Sequence, residues 1–400
     1  MSTPAPQDLF SRFQAGMFDE KKIIGVPTAF QAFFGNPANG SETIFSPDAN
    51  QIDIDIIRAN ERVGALIPRG GISRSVGSLQ KNLRSEQYSS FSRKYPLAEE
   101  EGDITADNIL NRVAGESPFE ARARIDRLRH HATKIITESV RKHVRLFEVL
   151  SAQSILTGKQ DAIIGGGADL QYDFRRNSTH ISTAALSWAG GTADILGDVD
   201  IACAKGRANG HVTLDMMVLG SGAMNSIVKD TTVATLADNR RMSYVQIGPN
   251  NMPPAKFDRF IAGGFIPQGL LHTPAGNQLW LFTYLDVFTD GAGSPTKYLA
   301  DDLVLFAFSG ARADRYFGPP ENLPMIPMRA QLYREFFGFD PSAFPLPVKM
   351  QAAGGIIDPA MFYADAYVSS DWKKITVRSQ TAPIFATTQT DAFVVLDVEP

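Results

Sequence analysis

The fold of this chain is decided by residues 117–158, which read SPFEARARIDRLRHHATKIITESVRKHVRLFEVLSAQSILTG. Apolar residues recur there at steps of three and four, as on the buried face of an amphipathic helix. The predicted buried stripe consists of Ile125, Leu128, Ala132, Ile135, Ile136, Val140, Val144, Phe147, Leu150, Ser154 and Ile155. Ser117, Pro118 and Glu120 form a capped start, and Gly158 suits a left-handed stop. The pattern predicts one helix about 60 Å long, more than a compact domain usually needs.

The opposite face of this helix is predicted to be basic. Its charged and titratable members include Arg122, Arg129, Arg141, Arg145, His130, His131 and His143. Only four acidic residues lie within residues 118–157. Such a face is either simply solvated, or it meets an acidic neighbouring subunit or the phosphates of a nucleic acid.

Size and composition predict a folded chain of two or three domains. The chain has 400 residues, of which 44% are hydrophobic, and a formal net charge of -4, which argues against a dedicated nucleic-acid binder. Cys203 is the only cysteine, so an internal disulfide and paired-thiol sites are excluded, and a reducing environment is indicated. The sequence shows neither a secretory leader nor an apolar run long enough for a membrane span, so we expect no membrane contact.

A basic, glycine-rich segment precedes the helix. Eight Lys and Arg residues and two Glu residues lie between positions 58 and 94, a local charge of +6. The basic residues are Arg58, Arg62, Arg69, Arg74, Lys81, Arg84, Arg93 and Lys94. Such a segment cannot bury enough apolar surface to hold itself in place, which predicts a projecting loop ordered by a partner. Because the acidic run Glu99, Glu100 and Glu101 follows directly, we predict contacts between identical copies through these residues; a merely solvated loop is the alternative.

The rest of the chain predicts a mixed α+β domain. Residues 214–219 resemble a strand and residues 221–229 a short helix, and residues 278–289 and 303–308 are predicted to form a hairpin. No catalytic, cofactor or metal motif emerges. The triple glycine at positions 165–167 lacks a phosphate-loop frame, so a turn between strands is favoured over a small-molecule-binding enzyme.

The order of these elements resembles the major capsid proteins of tailed bacteriophages, nearest to the lambda-like capsid protein E family. The resemblance is carried by Phe33-Phe34 followed by ETIFSPDANQIDIDI, by the run ALIPRGG at positions 65–71, by the helix ending FEVLSAQSILTGK, by LWLFTYLDVFTDGAGSPTKYLADDLVLF and by SQTAPIFATTQTDAFVVLDV near the end. It covers most of the chain from about residue 30.

This resemblance implies an α+β fold of the Hong Kong 97 type. Its implied divisions are an N-terminal arm and leading strand (1–50), an extended loop (51–105), a peripheral domain (106–200) with a spine helix at 118–157, an axial domain (201–370), and C-terminal strands returning to the peripheral domain (371–400).

The implied function is that of a phage head subunit. The resemblance implies self-assembly into hexamers and pentamers of an icosahedral shell around double-stranded DNA, with assembly in the host cytoplasm and interface residues in place of a catalytic centre. It also implies portal, scaffold or decoration partners and weak non-specific DNA contact. An encapsulin-like compartment shell is the alternative within the same fold.

Overall fold

A computed structural model describes most of the chain between residues 28 and 399. The described residues are 28–45, 53–56, 84–87, 98–105, 118–161, 171–233, 245–247, 253–289, 293–318, 363–368 and 374–399. For residues 53–56, 84–87, 104–105, 118–134, 136–137, 245–247, 363–368, 374–375 and 377 the description covers the backbone alone.

The predicted long helix is confirmed as α1 (Pro118–Thr157). Its stop is confirmed as well, because Gly158 adopts a left-handed conformation with φ +71°. The predicted cap residue Ser117 lies outside the described residues. The stripe members Val140, Val144, Phe147, Leu150 and Ile155 are all buried.

The placement of His143 on the polar face of α1 is wrong. His143 is 1% exposed and its Nε2 lies 2.8 Å from the Ser379 hydroxyl. From Ser139 onward, α1 buries more of its surface than the one predicted stripe. The reason is that several strands contact this helix, not one.

Three shorter α-helices, six short 3-10 helices and a set of strands make up the rest of the regular structure in the described residues. The α-helices are α2 (Ile195–Gly210), α3 (Ser221–Lys229) and α4 (Asp258–Gly263). The strands up to the middle of the chain are β1 (Thr43–Phe45), β2 (Asp53–Ile56), β3 (Arg84–Gln87), β4 (Ala98–Thr105), β5 (Lys159–Asp161), β6 (Gln171–Asp173), β7 (Ile181–Thr183), β8 (Met216–Leu219) and β9 (Val245–Ile247). The later strands are β10 (Ile266–His272), β11 (Gln278–Thr283), β12 (Val287–Thr289), β13 (Pro295–Lys297), β14 (Leu303–Ala307), β15 (Asp314–Phe317), β16 (Tyr363–Val368), β17 (Lys374–Thr381), β18 (Pro383–Ala386) and β19 (Phe393–Asp397).

The largest sheet has seven strands in the order β7-β19-β14-β8-β11-β10-β9. The predicted hairpin of residues 278–289 with 303–308 is wrong, because β8 lies between β11 and β14 and pairs parallel with one and antiparallel with the other. The chain leaves the sheet after Thr283, and the local hairpin joins β12 to β13 instead. The predicted helix at residues 221–229 is confirmed as α3.

Both faces of this sheet are buried. On one face Met216, Phe282 and Phe393 join an aromatic core with α1 and the N-terminal residues. On the other face the alternate residues, such as Met217 and Leu281, pack against α2 and α3. Successive side chains of a strand point to opposite faces of the sheet, so each of these strands contributes to both cores. This explains the continuous apolar runs in their sequences.

A second sheet, β16-β17-β4, lies against α1, and its strands are all antiparallel. Strands β2 and β3 form a separate antiparallel pair, so the chain that leaves at Ile56 returns beside itself at Arg84. β19 lies inside the seven-stranded sheet, between β7 and β14. The division into arm, loop, peripheral and axial domains stays a prediction. No helix of the described residues is both long and apolar enough to cross a membrane.

Candidate interface surface

The acidic strand β4 lies at the edge of its sheet, with its side chains alternating between two faces. Glu99 accepts hydrogen bonds from Gln380 Nε2 at 2.6 Å and from Arg378 Nη1 at 3.4 Å, both on β17. Asp103, on the same face, accepts from the Thr376 hydroxyl at 2.7 Å. Glu99 therefore already has a cationic partner within its own chain, and Glu101 lies exposed between Glu99 and Asp103.

The other face of β4 packs against α1. Lys142 Nζ lies 2.6 Å from Glu100 Oε2, an ion pair that joins the helix to the strand. A Cβ placed on Gly102 would come within 2.4 Å of Ile135 Cγ2, so only a glycine allows the strand this close to the helix. Burial lowers the pKa of His143 to about 4, so the imidazole is neutral at the helix–sheet contact.

The structure describes some of the predicted contact residues in full, some by their backbone alone and others not at all. Arg84 begins strand β3, whose backbone alone is described, and Arg122 and Arg129 lie on α1 with side chains outside the described part. Arg141 and Arg145 are exposed on α1, as predicted for a basic face. Outside the described residues lie Arg58, Arg62, Arg69, Arg74, Lys81, Arg93 and Lys94. Their role, and that of Glu99 to Glu101, as contacts between subunits stays a prediction.

A buried carboxylate that the sequence analysis missed fixes the N-terminal residues. Glu148 on α1 is fully buried and accepts hydrogen bonds from the backbone N–H of Phe30 at 2.8 Å, the N–H of Gln31 at 3.1 Å and the Tyr284 hydroxyl at 2.9 Å. Burial raises the pKa of this carboxyl to about 7, although the hydrogen bonds oppose that rise. Phe30 itself is fully buried, with its ring edge-on to Tyr284. Residues 28–34 are thus part of the core of this subunit.

The end of α1 is held by a guanidinium. Arg176 donates from Nη1 to the Leu156 carbonyl at 3.2 Å and from Nη2 to the Ser154 carbonyl at 3.1 Å, which satisfies two of the carbonyls left free at a helix end. The residue as a whole is half-buried, but its guanidinium faces the interior, and burial lowers its pKa to about 10. No local pattern in the sequence predicts this contact between Arg176 and the end of α1.

The described residues hold no group of three or more His, Cys, Asp and Glu side chains arranged to bind a metal. Cys203 is buried against the seven-stranded sheet, and burial raises the pKa of its thiol to about 11, so the thiolate is scarce near neutral pH. His180 is fully buried, with Nδ1 3.1 Å from the Phe393 carbonyl oxygen and Nε2 near Asn209. Cys203 and His180 are enclosed in the interior of the protein. The surfaces of α1 and β4 are therefore the candidates for function.

Comparison with known proteins gives a family and a fold. A family model described as phage major capsid protein E matches residues 73–325. A protein assigned as the capsid protein of a prophage of E. coli CFT073 superposes with a TM-score of 0.57 at 14% identity, covering 99% of both chains. The mature capsid protein of bacteriophage PhiM1 gives a TM-score of 0.40 at 10% identity, over 89% of this chain and 85% of that one. No curated protein sequence matches the chain.

The fold follows from the first of these likenesses. The superposition on the prophage protein shows a shared architecture, the Hong Kong 97-type capsid fold. At 14% identity it shows the fold alone.

Proposed function

Because the chain belongs to the phage major capsid protein E family, we propose that its copies assemble into the hexameric and pentameric capsomers of an icosahedral head around a double-stranded DNA genome. The match over residues 73–325 carries this proposal. The chain is a capsid shell protein of a tailed phage, so its place is the virion capsid. The proposal adds assembly in the host cytoplasm and assigns the chain neither a catalytic step nor a cofactor.

The extended loop is proposed as the main contact with a neighbouring subunit. In support, β2 and β3 pair antiparallel, so that Ile56 and Arg84, the residues that flank positions 57–83, lie opposite each other. The basic residues of positions 58–94 then meet an acidic surface on the next copy, which we propose is offered by Glu99, Glu100 and Glu101 on β4.

The exposed Arg141 and Arg145 on α1 are proposed to face either a neighbouring subunit or the packaged DNA. The overall charge of -4 keeps any DNA contact weak, which suits a genome that must move during packaging. Portal, scaffold and decoration proteins are proposed further partners. The division into a peripheral and an axial domain is part of the proposal. Strand β19 lies in the seven-stranded sheet.

A loop deletion tests the proposal. Replacing residues 62–81 by a short Gly-Ser linker keeps the paired strands β2 and β3, so the subunit is expected to fold with an unchanged circular dichroism spectrum. Electron microscopy and gradient sedimentation should then show capsomers or monomers where the full chain gives shells. Shells of normal size from the deletion variant would rule out the loop as an essential contact. A full chain that forms only small closed oligomers would contradict the capsid role.

Charge reversal separates electrostatic attraction from loop length. Arg69→Glu combined with Arg74→Glu is expected to weaken assembly more at low salt than at high salt, because salt screens the lost attraction. The control makes the same charge change with Arg207→Glu and Lys229→Glu, two exposed residues on α2 and α3. Equal defects in both variants would point to net charge and not to the loop. Purified shells filled with one protein and no nucleic acid would favour the compartment-shell alternative.

A further inference from the structure

The N-terminal residues 28–34, called here the docked segment, are held in the core through backbone groups. Thr28 N–H donates to the Gly263 carbonyl at 2.9 Å, and the N–H groups of Phe30 and Gln31 converge on Glu148. The Gln31 side chain also donates to the Val144 carbonyl on α1 at 3.0 Å. Most of the polar contacts of the docked segment therefore run to one turn of α1, and Glu148 is at their centre.

Glu148 lies where two effects on its charge compete. Its side chain is fully buried and accepts a hydrogen bond from Tyr284, whose ring packs edge to face with Phe30 and Phe265 at centroid distances of 5.3 and 5.2 Å. Burial in such a site favours the neutral carboxyl, whereas the donors that point at it favour the carboxylate. These donors are uncharged, so they offset the cost of burial only in part. Burial raises the pKa of Glu148 to about 7, which brings its titration to neutral pH.

Two neighbouring phenols do not titrate in that range. The docked segment TAFQAFF carries no titratable side chain. On the sheet side, burial and the nearby charge of Glu148 raise the pKa values of Tyr284 and Tyr298 above the ordinary range, so both phenols stay neutral. Asp286 has a raised pKa from burial, and Arg145 on α1 acts on Tyr298 as a positive charge. The backbone N–H groups of the docked segment point at Glu148, and its pKa of about 7 places its change of charge near neutral pH.

We propose that Glu148 is a protonation-controlled clamp on the docked segment. With the carboxyl neutral, residues 28–34 stay bound against α1 and the seven-stranded sheet; with it ionised, their docking weakens. This proposal goes beyond the capsid role and does not depend on it.

The direction follows from linkage between protonation and docking. When the segment undocks and water reaches Glu148, its pKa returns toward the ordinary 4.5, whereas in the docked state the pKa is about 7. The docked state therefore binds the proton more tightly, and docking weakens as pH rises from about 4.5 to 7 and then levels off. From these two values, the opening equilibrium should rise roughly 30-fold between pH about 5.5 and about 8.

Hydrogen–deuterium exchange of the full chain measures this opening directly. The probes are the amides of Phe30, Gln31, Phe33 and Phe34, each of which donates a hydrogen bond in the docked state, with rates corrected for intrinsic pH dependence. Their protection should fall as pH rises from 5.5 to 8, and Glu148→Gln, which cannot titrate, should abolish that dependence. His143→Gln is the matched control on α1, because the pKa of His143, about 4, lies below this range.

A second variant separates a clamp from a merely structural contact. Tyr284→Phe removes one donor to the carboxylate, so it should move the pH midpoint of protection upward. A structural contact alone would lower protection at every pH without moving the midpoint. Flat protection in the wild type, or the same pH dependence in Glu148→Gln, would overturn the proposal. If Glu148→Gln fails to fold, the wild type must show an infrared band of a neutral buried carboxyl that is lost on raising the pH; its absence is equally decisive.

Discussion

Replacing Gly102 by alanine tests the contact between the acidic strand and the long helix. Gly102 lies on the helix-facing side of β4, between Glu101 and Asp103, and its position beside Ile135 leaves no space for a methyl group. The nearest atom, Ile135 Cγ2, would lie 2.4 Å from the new Cβ, and Cγ1 would lie at 3.2 Å. Either the strand or the isoleucine must therefore move.

The size of the effect follows from two opposing terms. Forcing a methyl group into a packed contact usually costs about 1–3 kcal/mol. Removing a glycine from the unfolded chain returns about 0.4–1 kcal/mol, because alanine has less backbone freedom to lose. We expect Gly102→Ala to lower the free energy of unfolding by about 1–2 kcal/mol.

A double-mutant cycle in urea identifies the cause of this loss. Ile135→Ala removes the clashing atoms, so in that background Gly102→Ala should cost nothing or stabilise, with a coupling of roughly 1 kcal/mol or more between the two positions. The midpoints are read by far-UV circular dichroism on unassembled subunits. A neutral Gly102→Ala, or additive effects of the two substitutions, would refute the close approach of β4 to α1.

Three further predictions concern the same helix. Gly158→Ala should lower the free energy of unfolding by about 1–2 kcal/mol, because alanine disfavours a left-handed conformation. The new Cβ would also lie 2.8 Å from the Cβ of Arg176. Thermal melting measures the loss, and Gly158→Asn should cost less. Lys142→Ala should change the unfolding free energy by less than about 1 kcal/mol, since the side chains of Lys142 and Glu100 are 60% and 33% exposed; a larger loss in urea would show a stronger pair. His143 has its pKa lowered to about 4, so the unfolded chain binds the proton first and stability should fall as pH drops from about 6.5 to 4; His143→Gln should flatten that part of the urea midpoint against pH.

The sequence predicted α1 well because its signals are local. The apolar spacing and the stop at Gly158 depend on residues within one or two turns, and the observed helix ends at Thr157. The hairpin prediction failed for the opposite reason. β8 inserts between β11 and β14 through pairings with strands some 60 to 90 positions away, and no local pattern reports such an insertion.

Glu148 was missed because a charged residue on a helix was counted as solvated. Its position held a usable signal: it lies four residues after Val144 and next to Phe147, on the buried side of α1. The same spacing places His143 four residues before Phe147. What periodicity could not supply was the partner, since the N–H groups that satisfy Glu148 come from residues more than 110 positions earlier.

The central place of β19 has a consequence for synthesis. This strand completes the seven-stranded sheet between β7 and β14, and Phe393 packs on Phe33 from the other end of the described chain. A nascent chain still attached to the ribosome before Asp397 has emerged cannot close either core. A chain that stops before β19 lacks the residues that this strand contributes to both cores, so we expect it to lack the finished subunit surface.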